Sequence, residues 1–162
     1  MSMQKPFTSA LIEILAFSQP ASLMQHYADA MPGHGFELVV LSSPRELFLR
    51  LGLQTSSIVL LSCPLAEAYM LASRVRLSDT SIGLVMMADF KGPDSRVRAL
   101  QSGVDLCLEP DVEQSELAAY LHSLFRRVLI GRRQLLTSTV HSGRIDGYSN
   151  AGNDGLAFKL DG

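Results

Sequence analysis

The chain has 162 residues, 47% of them apolar, with a formal net charge of −2 and a pI near 6.0. That length suits one ordinary domain with an appendage, and the apolar share is enough for a real core. A near-neutral balance with 19% charged residues argues against a globally basic nucleic-acid binder or a membrane-surface protein.

Residues 1–9 read as an N-terminal tail that lacks the basic region and long apolar run of a signal peptide. No apolar run approaches the length of a membrane span, so the cytoplasm is the expected location. Leu11 to Phe17 is the first strand candidate, ending at Ser18-Gln19-Pro20. From Ala21 to Met31 the apolar positions recur at helical spacing, until Pro32-Gly33-His34-Gly35 breaks the pattern. Phe36 to Leu41 is a second strand. Ser42-Ser43-Pro44 then opens a helix with serine as N-cap and proline in the first turn. The apolar run Ile58-Val59-Leu60-Leu61, between small polar residues and Pro64, fits a strand buried on both faces. Ser62 emerges at its end.

Pro64 to Leu77 continues as a helix, and Ile82 to Ala88 is a fourth strand. Asp89 to Asp94 reads as a loop. Ser95 to Ser102 is a short helix stopped by Gly103, and Leu106 to Leu108 is a fifth strand. A last helix runs from about Gln114 to Arg127. Strands alternating with helices force parallel pairing with right-handed crossovers. The predicted fold is therefore a doubly wound, flavodoxin-like α/β sandwich with five parallel strands in the order 2-1-3-4-5.

Past Val128 the composition changes. Leu129 to Leu136 prolongs the last helix, and 137–154, rich in Ser, Gly, Asn and Thr, reads as a linker. Gly155 to Gly162 alternates like the start of a strand. The expected organisation is a tail at 1–9, a domain at 10–128, and a helix extension and linker at 129–162 leading toward a further domain. A natural tail is the alternative for that last segment.

The two cysteines, Cys63 and Cys107, lie in apolar segments and read as reduced core thiols. Four histidines, His26, His34, His122 and His141, have no metal-ligand spacing, so neither a metal nor a cofactor is expected. No glycine-rich phosphate loop follows the first strand, and no histidine is placed to activate Ser62 or Cys63. The chain is not expected to be an enzyme.

Three segments resemble a known family. SIVLLSCP resembles the third strand of response-regulator receiver domains. DSRVRALQSGVDLCLEP resembles their fourth helix, glycine turn and fifth strand, and SELAAYLHSLFRRV resembles their fifth helix. With its terminal Arg-Arg, that helix is most similar to the subgroup carrying a winged-helix DNA-binding output domain (the OmpR type). The resemblance spans about residues 10–128.

Mapped onto this sequence, the family's working residues are missing together. The acidic pair that holds Mg²⁺ falls on Ser18 and Gln19, and the phosphoacceptor aspartate falls on Ser62. The switch hydroxyl falls on Met87, the switch aromatic falls near Cys107, and the lysine before the last proline falls on Glu109. The spacing from Gly103 to Pro110 is also one residue short of the family's. Mg²⁺ requires several hard oxygen ligands, normally including carboxylates. Phosphoryl transfer needs an activated nucleophile and cations around the moving group. The resemblance thus implies a receiver with a degenerate acceptor pocket, acting without phosphorylation, with Ser62 hydrogen-bonded at the mouth of the sheet.

The resemblance also implies a homodimer through helix 4, strand 5 and helix 5. That surface would hold Arg96, Arg98, Gln101, Asp105, Glu116, Tyr120 and His122, with Arg98, Asp105 and Glu116 available for cross-subunit ion pairs. The alternative is a solvated charged face. Arg126, Arg127, Arg132 and Arg133 either touch DNA phosphates beside an output domain or compensate the end of the last helix. The expected function is phosphorylation-independent transcription regulation through dimerisation and an attached DNA-binding domain. The alternative is a stand-alone receiver-like domain that binds a protein partner or a small ligand.

Overall fold

β-Branched and aliphatic runs too short for helices form the centre of the structure. The computed structural model describes residues 10–160, with side chains described up to residue 138. In chain order the elements are β1 (Ile12–Ser18), α1 (Ser22–Ala30), a 3₁₀ turn (Met31–His34), β2 (Phe36–Leu41), α2 (Pro44–Gly52) and β3 (Ile58–Ser62). They continue with α3 (Leu65–Ser78), β4 (Gly83–Met87), α4 (Gly92–Gln101), β5 (Leu106–Leu108) and α5 (Gln114–Leu160). The strands form one parallel sheet in the order β2-β1-β3-β4-β5, as expected from the sequence.

Every residue of β3 and of β4 is buried, because helices cover both faces of the sheet. Alternation along the strands divides the core in two. Leu15, Phe17, Val59, Leu61, Leu84 and Met86 pack with Leu47, Leu71, Val75 and Ala99 on one face. Ile14, Ala16, Ile58, Leu60, Val85 and Met87 pack on the other with Met24 and Tyr27 of α1 and Leu117, Leu121 and Leu124 of α5. Each such large apolar side chain stabilises the fold by roughly 1.5–3 kcal/mol when fully buried.

Two glycines are required by close approach. A Cβ on Gly83 would lie 2.9 Å from Leu124 of α5, so the missing side chain lets α5 seat on β4. Gly103 stops α4 with φ +101, and a Cβ there would lie 3.0 Å from Arg76. Arg76 uses that space. Its guanidinium donates to the carbonyls of Gly103 (2.7 Å) and Ile82 (2.7 Å) and pairs with Asp105 at 3.1 Å. Asp105 also accepts from the Leu84 N–H at 2.8 Å. One cation thus ties α3 to the starts of β4 and β5.

Three sequence expectations need correction. α4 begins at Gly92, three residues before Ser95, because Pro93 is acceptable in a first helical turn. The loop after β4 is therefore only 88–91, which keeps Asp89 and Lys91 at the mouth of the sheet. The segment 137–154, expected as a linker, and 155–160, expected as a strand, lie within α5. After Pro110 the chain contains no proline, so no residue forbids helix propagation there. Since α5 continues to Leu160, Arg126 to Arg133 do not sit at a helix end, and dipole compensation does not account for them. The expected tail at 1–9 lies outside the described residues.

The chain divides into two units, residues 1–128 and 129–162. The sheet and its covering helical segments belong to the first. The described part of the second is helical backbone, with Leu129, Ile130, Leu135 and Leu136 exposed. Among the described residues no helix is long and apolar enough to cross a membrane.

Candidate functional site

In a parallel doubly wound sheet the strands deliver their last residues to one edge, where the following helices begin. β1 ends at Ser18 and β3 ends at Ser62, and the two are register partners. The Gln19 N–H donates to the Ser62 carbonyl at 2.9 Å, extending that pairing by one step. Ser18 is fully buried, and its hydroxyl donates to the Pro20 carbonyl at 2.9 Å. The Gln19 side-chain amide donates to the Ser42 carbonyl at 3.1 Å.

A cleft of about 370 Å³ opens at this edge. Gln19, Ser62 and Met87, all expected at a degenerate acceptor pocket, line it together. Ser62 is only 8% exposed, and its hydroxyl opens to the cleft with no hydrogen bond to another described residue. The neighbouring polar groups are already used, Ser18 by Pro20 and Gln19 by Ser42.

Glu109 does not line this cleft. Arg96 of α4 binds its carboxylate, and it lines a second cavity of about 450 Å³ together with Cys107, Glu116 and Tyr120. The pull of a nearby guanidinium explains the turn away from the mouth. Two charged residues missed in the sequence line the first cleft instead, Asp89 and Lys91. Both lie in the short loop after β4, and the rule that ligand groups follow strand ends would have singled them out.

The donor set at this edge does not fit Mg²⁺. Asp89 is the single carboxylate lining the cleft, and the hydroxyl of Ser18 is turned to the backbone. Among the described residues no cluster of three His, Cys, Asp or Glu side chains exists. Cys63 also lines the cleft, but burial, aided by Glu67, pushes its thiol up to about 12. It is a poor nucleophile at neutral pH. Burial likewise raises Cys107, with Arg96 partly offsetting it. Both cysteines are free thiols.

No family model and no curated protein matches the sequence. Solved structures do. An orphan response regulator of H. pylori superposes with a TM-score of 0.63 at 18% identity, over 70% of this chain and 95% of that one. A two-component response regulator from Clostridium difficile gives 0.64 at 19% identity, over 72% and 97%. The chain has the receiver fold. A putative pilus assembly protein from Burkholderia thailandensis matches the same receiver-type domain with a TM-score of 0.61 at 18% identity, over 72% and 99%. At such identity the likeness carries the fold and leaves function to the site.

The outer face formed by α4, β5 and α5 is the receiver-type domain's second feature. Gln101, Glu116 and Tyr120 are exposed there, with Tyr120 at 37%. Val97 (49%) and Leu100 (52%) of α4 are also exposed, and the sequence reading missed both. Arg96 lies over Phe90 at 5.1 Å, and Arg98 lies over Tyr69 at 4.7 Å. Two expected face residues are committed elsewhere. Asp105 is held through its Oδ2 by Arg76 and the Leu84 N–H. His122 points to the opposite side of α5. There it meets the His34 carbonyl at 2.9 Å and the Phe36 ring at 4.4 Å between centroids.

Proposed function

We propose that the chain is an atypical receiver domain that regulates transcription without phosphorylation, by dimerising and acting on an attached DNA-binding domain. The observation that carries this is the residue set at the strand mouth. Where the fold's relatives would place acid and acceptor groups, this chain has Ser18, Gln19 and Ser62, and Glu109 is turned away to Arg96. An attacking carboxylate and a metal-binding acid pair are both missing from these positions.

The same set supports a non-enzymatic role. No histidine lines the cleft with Ser62, and the Cys63 thiol is held protonated. Signalling then depends on surfaces. The exposed Val97, Leu100 and Tyr120 supply apolar and aromatic area on the α4-β5-α5 face, with Arg96 and Glu116 at its border. We take this face as the homodimer contact and the cytoplasm as its setting.

The test is incubation with acetyl phosphate or beryllofluoride in the presence of Mg²⁺. The expected result is an unmodified chain by intact mass and an unchanged spectrum. A stoichiometric phosphoprotein overturns the reading. A second reading, a stand-alone receiver-like domain that binds a small ligand, is favoured by one observation: the unpartnered Ser62 hydroxyl in a sizeable cleft.

A further inference from the structure

We propose that the cleft at the mouth of the sheet binds a small organic acid, with one carboxylate on an aromatic or branched aliphatic body. This deepens the second reading above and rests on its premise that the mouth performs no phosphoryl chemistry.

The anion end of the site is built from three parts. At the floor, Ser62 is 8% exposed, and its hydroxyl, open to the cleft, has no partner among the described residues. Beside it starts α3, a helix of 14 residues whose N-cap position is Pro64 and which has no side-chain cap. Its first backbone bond is from Ala68 to the Pro64 carbonyl, so the N–H groups of Leu65, Ala66 and Glu67 have no acceptor among the described residues. Unpaired N–H groups and the helix dipole together favour negative charge. On the rim stands Lys91, which forms no ion pair among the described residues.

The rest of the wall is apolar. Leu23, Leu65, Met87 and Pro110 line it, and Leu23 is 56% exposed for want of a cover. The volume of about 370 Å³ falls in the range of small-ligand sites, roughly 300–1,000 Å³. An apolar body would cover Leu23 and Met87 while its charged end met Ser62, the α3 terminus and Lys91.

The charge count selects the head group. Lys91 is the single cation lining the cleft, whereas Asp89 lines its rim and Glu67 stands in the first turn of α3. A dianionic phosphate would meet two carboxylates and one ammonium. A carboxylate matches one ammonium and a small set of neutral donors. A neutral apolar molecule would leave those donors without acceptors.

The full chain, labelled with ¹⁵N, is titrated with phenylpropionate, phenylpropanamide, phenyl phosphate and inorganic phosphate. Phenylpropionate is expected to shift the amides of Ser62, Leu65, Ala66 and Lys91 saturably. The neutral amide analogue and the Lys91→Gln variant should each weaken binding by roughly tenfold. Ser62→Ala should weaken it several-fold. Lys91 is exposed, so its variant keeps the test valid if Ser62→Ala fails to fold. The proposal is overturned if no probe gives saturable shifts at these residues. It is equally overturned if the amide binds as tightly as the acid, if Lys91→Gln changes nothing, or if either phosphate binds tighter than the carboxylate. Parallel incubation with acetyl phosphate and Mg²⁺ separates the two levels. A phosphorylated chain removes the underlying premise, while an unmodified chain that ignores organic acids removes only the acid site.

Discussion

Ser18 and Ser62 are register partners on adjacent parallel strands, yet of the two only the Ser18 hydroxyl bonds another described residue. Ser18 turns back to the Pro20 carbonyl, and Ser62 faces the cleft. The pair occupies the centre of the mouth without offering a negative charge. On the proposed function, that arrangement separates this mouth from one that handles Mg²⁺ and phosphoryl groups.

On the proposed function, an aspartate at position 62 alone should not create phosphoryl chemistry. Ser62→Asp is expected to stay unmodified by acetyl phosphate with Mg²⁺, as read by intact mass. A new buried carboxylate should also cost about 1–3 kcal/mol of stability, measured by urea unfolding. Phosphorylation of this single variant would show that the remaining residues still form a working site.

Asp105 and Tyr120 should behave oppositely. Asp105→Ala breaks the link from Arg76 to the Leu84 N–H, and is expected to lower stability by about 1–3 kcal/mol without changing oligomeric state. Tyr120→Glu places charge on the exposed face, and is expected to weaken the proposed dimer by at least about tenfold with little effect on unfolding. Sedimentation and urea titration on both variants check the contrast.

Gly83→Ala should destabilise by about 1–3 kcal/mol, because its Cβ would lie 2.9 Å from Leu124. Combining it with Leu124→Ala should give a loss smaller than the sum of the two single losses, since the shortened side chain makes room. Additive losses would remove the steric explanation.

Cys63 should react slowly with iodoacetamide in the native chain and fast in urea. Its thiol is raised from 9.0 to about 12, which lowers the thiolate fraction below pH 9 by on the order of a hundredfold or more. The folded state keeps the proton where the unfolded state loses it. Its contribution to stability is thus constant below about 9 and declines from there toward about 12. Mass spectrometry over time and unfolding across that pH window test both statements.

Much of the architecture was legible in the chain. Phe36–Leu41 and Ile58–Ser62 are strands where their apolar runs lie between breakers, and the alternation with helical stripes implied the parallel order. The length of α5 was not legible, because 137–154 has linker composition but no proline to end a helix. The partners of Glu109, Asp105 and His122 within the fold were not legible. Arg96, Arg76 and the His34 carbonyl hold them.

By itself the sequence determined the layered sheet and the uncharged identities at positions 18, 19 and 62. Burial periodicity is a local property, so it can be read along the chain. The tertiary structure alone decided that Ser62 lines the cleft, that Glu109 pairs with Arg96, and that Asp89 and Lys91 reach the mouth. Those outcomes depend on groups brought together from distant parts of the chain, where geometry and competition for partners decide which bonds form.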